Sequence, residues 1–492
     1  IKIGFSMALT GGLAGAFNAA LIAMEIWRDD VNKKGGLLGR PVEFVYYDDA
    51  TNPATVPGIY TKLLNVDKVD LVVSSYGTNE IAPAMPIVMR KKLVFPSLFG
   101  LAVNDQFNYN GYFQIMPAGP EPKVDWSRGF FELAAEQKPR PKTVAIVAAD
   151  AEFPLNAAAG ARKNALAKGF KIVYDKTYPP STTDYTPIVR AIEATSPDVV
   201  YVASYPPDSV GMVKAAHEVG LKAKMFGGGM VGLQFAAIQK NLGPLLDNIV
   251  NYDFWVPEPT LNFPGVKEFL ARYQEAAKGK GVDPLGHYLP PYAYAYMQVL
   301  AQSVEAVKSL DQAKLAAYMH QHTFDTVVGK VKFGKNGEWA KSRVLMVQFR
   351  DVQPDNLEQL FEARVGGESV GAAEHVRDDG VVDHELCRNE RVDAFRIAPQ
   401  ADDRITHRHQ VDHAGDAREV LHQYPRGREV DLPRFSVVGL PARQRLDLRR
   451  GDEPAIFVAQ QVLEQLLEAV WQPLDAMDGG QSVNAVRRPR DS

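Results

Sequence analysis

Short apolar runs alternate with amphipathic stretches over the first two-thirds of the chain. IKIGFSM leads into the loop ALTGGLAG. Phe17, Leu21, Met24, Trp27 and Val31 then recur near the helical period until Gly35-Gly36 stops them. The same succession returns in DLVVSSYGTNE, in TVAIVAADAEF and in DVVYVASYPPD. Alternating strand and helix patterns predict parallel sheets with right-handed crossovers. Ligands of such sheets bind beyond the carboxyl ends of the strands, so the loops there, rich in Gly, Ser, Thr and aromatics, are where function is sought.

The pattern predicts strands at Lys2–Ala8, Val42–Tyr47, Val69–Ser75 and Leu93–Ser97, then a crossover through YFQIMPAGP. It restarts with strands at Thr143–Ala149, Val199–Ser204, Lys224–Phe226 and Asn248–Trp255. Helices are predicted at Leu155–Lys168, Ser209–Val219, Val266–Lys278 and Tyr292–Lys308. TVVGKVKFGKNGEW and SRVLMVQFRD read as a hairpin, with Gly334 and Gly337 near its turn, and an edge strand. The fold class is α/β: two similar doubly wound lobes with a crossover between them, an arrangement that predicts a cleft able to open and close.

Composition bounds the function. At 492 residues two or three domains are expected. A net charge of -4 argues against a nucleic-acid partner and a membrane-surface role. No apolar run approaches the roughly 18 residues of a transmembrane span. Ile1 already opens the first strand, so no signal peptide is expected, which fits a cytoplasmic protein or a mature secreted chain without its leader. Cys387 has no second cysteine to pair with.

Composition also breaks along the chain. The first 341 residues carry 27 lysines and the 151 that follow carry none, so the end of the chain differs in kind from its body. Strand–helix alternation fades after about Arg364. Residues 365–492 read either as a poorly ordered appendage or as a true extra domain, with Ala455–Trp471 as one amphipathic stretch. His407, His409 and His413 have an H-x-H-x3-H spacing, but no paired CxxC accompanies them, and no metal site is expected.

The body offers little to an enzyme. TGGLAG places Thr10 where the first glycine of G-x-G-x-x-G must make its tight turn, and Asp48 lies later than the roughly 20 residues expected for a ribose-binding acid. There is no G-x-S-x-G elbow, P-loop or H-E-x-x-H, and His217, His287, His320 and His322 suggest no catalytic set. A binder without cofactor is expected. Gly11, Gly77, Thr78 and Ser97 offer amide or hydroxyl donors suited to an anionic group such as a carboxylate. Phe17, Tyr76, Phe99, Phe153, Tyr205, Tyr292 and Tyr294 could supply apolar walls.

With these residues in view, the chain resembles a known family over about residues 1–351: the periplasmic solute-binding proteins of ABC importers, of the leucine/isoleucine/valine-binding type. The resemblance rests on IKIGFSMALTGGLAG, DDVNKKGGLLGRPVEFVYYDDATNP, SSYGTNEIAPAMPIV and VGLKAKMFGGGMVG. It implies the type I fold, two Rossmann-like lobes joined by a three-segment hinge. Lobe 1 would comprise 1–117 and 249–327, lobe 2 118–248 and 328–364, and 365–492 would be a tail atypical of the family.

The resemblance also assigns residues. Gly77, Thr78, Phe99 and Leu101 fall where the family holds a ligand carboxylate, Leu101 replacing a usual threonine. Phe153, Tyr205 and Tyr294 resemble pocket aromatics. Gly229 stands where amino-acid binders carry a glutamate for the ligand ammonium, so either another acid such as Asp208 substitutes or the ligand lacks an ammonium. Thr51 and Tyr76 fall where the family's small disulfide would be. The resemblance thus implies a monomeric periplasmic protein that delivers a small hydrophobic solute to ABC permease subunits in the inner membrane. A hydrophobic or aromatic carboxylate, or a related amide, is expected ahead of a free branched-chain amino acid. The rival readings are a nicotinamide-dependent enzyme on a doubly wound fold and a ligand-sensing regulatory protein of the same fold.

Overall fold

A computed structural model describes residues 1–350 and 352. The lysine-free segment 365–492, with its histidines, Cys387 and the Ala455–Trp471 stretch, lies outside the described residues.

Two groups of parallel strands organise the body. The first has β1 (Lys2–Met7) in the centre of a sheet between β2 (Glu43–Asp48) and β3 (Leu71–Val72), both parallel to it. Beside it β4 (Phe95–Ser97) pairs in parallel with β5 (Tyr112–Gln114). The Ser74 amide donates to the Pro96 carbonyl at 2.9 Å, which ties the chain beyond β3 to β4. The second sheet has six strands. β6 (Thr143–Ala149) lies between β7 (Lys171–Tyr178) and β8 (Val199–Ser204), and β8 is followed by β9 (Met225–Met230) and β10 (Val250–Asp253), all parallel. β11 (Thr323–Thr326) and β12 (Gly329–Lys332) form a separate hairpin, and β13 (Leu345–Gln348) closes the large sheet antiparallel to β10. The alternation read from the sequence is therefore present, and the last strand is an edge strand.

Several boundaries differ from the predicted ones, for identifiable reasons. The strand expected to stop at Phe226 runs on through Gly227, Gly228 and Gly229 to Met230. A Cβ on Gly227 would lie 2.1 Å from the Val250 carbonyl oxygen, and one on Gly228 2.4 Å from the Tyr201 ring. Both have positive φ. The glycine run is thus the price of close approach between β9, β10 and Tyr201, not a strand end. The hairpin turns at Val327-Val328, and the Gly334–Gly337 turn is a second one, closed by a bridge between Phe333 and Trp339. β5, β7 and the helix Pro122–Glu136 go beyond the elements read from the pattern.

Helices cover the sheets with apolar faces. The helix Ala14–Lys33 buries Phe17, Ala20, Met24 and Trp27, three or four residues apart. It packs on Pro290–Val307, where Tyr296 Oη reaches Met24 Sδ at 3.1 Å. Large side chains buried to this degree contribute about 1.5–3 kcal/mol each.

Two further helices, Pro122–Glu136 and Glu152–Ala167, approach until their backbones nearly touch. A Cβ on Gly160 would lie 1.6 Å from the Lys123 carbonyl oxygen, while Asn164 Nδ2 donates to the Val124 carbonyl at 2.7 Å and to Ser127 Oγ at 2.9 Å. Gly160→Ala must therefore push the pair apart. It is expected to destabilise the protein by about 1–3 kcal/mol despite alanine's better helix propensity, read as a lower denaturant midpoint. A midpoint equal to or above that of the parent would show that the helices separate without cost.

Candidate functional site

The strand ends of the two sheets face one another across a cleft. Tyr76, Gly77 and Thr78 follow β3, Phe99 follows β4 and Met116 follows β5. Opposite them, Phe153 follows β6, Tyr205 follows β8, Val231 follows β9 and Tyr252 lies on β10. Trp126, from the helix Pro122–Glu136, and Tyr288, just before Pro290–Val307, complete the walls of a small cavity of about 20 Å³. Seven of these eleven residues are aromatic, so the cavity suits a flat or branched apolar body.

The rings brace one another. Trp126 lies 4.3 Å from Tyr252 and 5.4 Å from Phe153, and Phe153 lies 5.5 Å from Tyr205. Phe99 touches Tyr76 and Tyr288 at 6.1 and 5.4 Å. Tyr288 Oη is 2.9 Å from Tyr252 Oη and also hydrogen-bonds Tyr76. Burial pushes the phenols of Tyr76, Tyr205, Tyr252 and Tyr288 well up, so all stay neutral at physiological pH.

Polar groups cross the cleft. Asn79 Oδ1 accepts from Tyr205 Oη at 2.6 Å and from the Phe153 amide at 3.3 Å. Asn156 Nδ2 donates to the Leu101 carbonyl at 3.0 Å, and Gln106 Nε2 to Glu152 Oε1 at 3.1 Å. These bonds hold the cleft shut.

Six residues singled out from the sequence meet in the cavity wall: Tyr76, Gly77, Thr78, Phe99, Phe153 and Tyr205. The others, Gly11 and Tyr292 included, are not among its lining residues. Phe17 is core and supports Tyr76 from behind at 5.3 Å. Ser97 is buried within hydrogen-bond reach of Ser74 Oγ and Gln114. Leu101 gives its amide to Thr78 Oγ1 at 2.9 Å. Gly229 makes room for Tyr201, whose hydroxyl would lie 2.8 Å from a Cβ there. Tyr294 turns away from the cleft, donating to Asp30 Oδ2 at 2.8 Å beside the Asp30–Arg272 ion pair. The Phe99 amide is also engaged, by Gln114 Oε1 at 2.9 Å, so Phe99 contributes its ring.

Sequence reasoning did not single out Met116, Trp126, Val231, Tyr252 or Tyr288. Tyr288 could have been found by phase: Tyr288, Tyr292 and Tyr296 repeat every four residues, and Tyr294 falls between them on another face. Asp208, considered as an ammonium partner, is engaged instead by Tyr178 Oη and Tyr185 Oη at 3.2 and 3.1 Å and does not line the cavity. Asp48, considered as a ribose ligand, accepts from the Leu9, Thr10 and Ala50 amides and the Thr10 hydroxyl, fixing the glycine loop.

Glu80 stands behind the loop after β3, only 2% exposed. Its Oε2 has no hydrogen-bond partner and would lie 3.0 Å from a Cβ on Gly77, a wall residue. Burial, reinforced by Asp49 and then Glu152, pushes its carboxyl up to about 8. The lining residues include no Lys, Arg or His.

Facing strand ends around an aromatic cavity define a two-lobed α/β fold, and the comparisons agree. The family described as periplasmic binding protein matches residues 1–353, and the chain belongs to it. A relative named Leu/Ile/Val-binding protein homolog 8, from Brucella abortus, is 26% identical over 381 residues, covering 72% of this chain and 91% of its own. A leucine-, isoleucine-, valine-, threonine- and alanine-binding protein from Pseudomonas aeruginosa is 24% identical, covering 69% and 87%. Among solved structures, a leucine-binding protein from Thermotoga maritima superposes with a TM-score of 0.62 at 17% identity, over 72% of this chain and 99% of that one. An ABC-transporter solute-binding protein from R. palustris in complex with benzoate gives 0.60 at 18%, over 70% and 92%. The fold is that of the type I periplasmic binding proteins.

The state of Glu80 makes stability pH-dependent. Between the ordinary carboxylate range and about pH 8, the folded chain keeps a proton that the unfolded chain has released. Stability therefore falls as pH rises through that window, by up to about 1.4 kcal/mol per unit, and levels off above it. Glu80→Gln removes this cost. The variant is expected to gain on the parent in melting temperature between pH 5 and pH 8, and a gap that stays constant across the window would contradict the buried neutral acid.

Proposed function

We propose that the chain is the substrate-binding protein of an ABC importer, a periplasmic, non-enzymatic carrier. It captures a small hydrophobic solute bearing a carboxylate or amide and delivers it to permease subunits in the inner membrane. The observation that carries this reading is the aromatic cavity at the strand ends, shut by Asn79. Relatives named for leucine, isoleucine and valine, and a fold neighbour bound to benzoate, support the solute class. Thr78 orients the polar end: its Oγ1 accepts from the Leu101 amide, which leaves its hydroxyl proton for a ligand oxygen. The aromatic residues enclose the apolar end. Gly229 contributes no acid and Asp208 is engaged elsewhere, which favours an aromatic or aliphatic carboxylate over a free branched-chain amino acid.

Thermal-shift and calorimetric titration with benzoate, phenylacetate and leucine tests the reading. A ligand at a hundred times its Kd adds about 2.7 kcal/mol of stability. Thr78→Val should weaken the best binder by about 1.5–3 kcal/mol, roughly ten- to a hundredfold. Unchanged affinity in the folded variant would place the ligand's polar end away from Thr78. No response to any of the three probes would reject the solute class, and tight leucine binding without a response to the two acids would reverse the order between carboxylate and amino acid.

A further inference from the structure

The residue that the functional reading leaves unused is Glu80. Its carboxyl is buried against Gly77 in the cavity wall with one oxygen unpartnered, and no Lys, Arg or His lines the cavity to neutralise it. The titratable groups around it come from every side. Asp49 follows β2, Glu152 opens the helix behind β6, Tyr76 follows β3 and Tyr205 follows β8. The first two are acids whose own carboxyls burial pushes up, and the phenols stay neutral.

A carboxylate ligand and an ionised Glu80 cannot share this enclosure. Two like charges a few ångströms apart, without a cation and out of water, repel strongly. A neutral carboxylic acid is the opposite case, because its O–H is a short, strong donor to a carboxylate oxygen. We propose that Glu80, packed against Gly77 immediately behind the cavity wall, acts as a neutral carboxylic acid beside the ligand, so that capture of a carboxylate is coupled to one proton. The inference rests on the proposed solute class and deepens it. When Glu80 already holds its proton, the ligand binds with no proton exchanged. When Glu80 is ionised, binding takes one proton from solvent, and that proton is held on the Glu80 carboxyl behind the wall.

This fixes the sign of the pH dependence. Affinity for a carboxylate is level on the acid side of the Glu80 titration, which lies near pH 8, and falls above it by up to tenfold per pH unit. The test is calorimetry of benzoate binding to the native protein at pH 6.5 and pH 9.5, at each pH in two buffers of different ionisation enthalpy. The expected result is little proton exchange at pH 6.5, uptake approaching one proton at pH 9.5 and affinity at least tenfold lower there. In Glu80→Gln, whose amide donates without titrating, the uptake should vanish and the profile flatten. Benzoate binding with no proton uptake in the native protein overturns the proposal and leaves the functional reading standing. Proton release overturns it as well, since that is the signature of an ionised Glu80 meeting a cationic group. Leucine binding without benzoate binding removes the carboxylate role while keeping a solute-binding protein. A protein that binds neither fails both readings together.

Discussion

Asn79 Oδ1 is the acceptor on which the site depends. It sits one residue beyond Thr78, in the single helical turn Thr78–Ile81 after β3, and takes hydrogen bonds from the Tyr205 hydroxyl and the Phe153 amide of the facing strand ends. One side-chain oxygen thus ties together the loops after β3, β6 and β8. The bonds it makes are between neutral groups, each worth about 0.5–1.5 kcal/mol net. That is strong enough to favour the shut cleft and weak enough to let it reopen.

The other properties of the cavity follow from that closure. Tyr205 and Phe153 are drawn over the cavity, where Phe153 meets Trp126 and Trp126 meets Tyr252. In that setting the phenols are held neutral and Glu80 keeps its proton, because burial penalises every charged form. Enclosure by aromatics and neutrality of the polar groups are two results of one geometry. The close helix pair at Gly160 serves the same end, since it carries Trp126 on one member and Phe153 on the other.

The fold was largely legible because a strand feeding a loop and an amphipathic helix leaves a periodic trace. The same rule that ligands gather at carboxyl strand ends located Tyr76, Gly77, Thr78, Phe99, Phe153 and Tyr205, which follow strands directly. It could not locate residues that reach the cavity by other routes. Trp126 arrives on a helix whose apolar positions the crossover prolines obscured, Tyr252 points in from a strand and Tyr288 precedes a helix. Gly229 shows a second limit. Alignment by motif places a residue in the chain, but what its position can do depends on the neighbour across the sheet, here Tyr201. Tyr294 shows a third: two positions along a helix turn a side chain by about 200°, enough to exchange the cleft for the Asp30–Arg272 pair.

Charge is what the sequence hid most completely. Net charge says nothing of which acids are buried together, and Glu80, Asp49 and Glu152 are separated by 31 and 72 residues. Folding brings them behind one wall of an aromatic cavity that has no basic residue in its lining. Such a lining supplies no positive charge of its own, so discrimination within it would rest on fit to the rings and on the match of donors and acceptors at the polar end. An apolar pocket distinguishes one methylene by only about 1–3 kcal/mol, whereas a buried donor or acceptor left unmatched forfeits a comparable amount at a single atom. With the apolar walls tolerant of related shapes, discrimination among solutes of similar size would fall to the few polar atoms of the wall, among them Thr78 Oγ1, and the Glu80 carboxyl behind Gly77 lies on the same short turn.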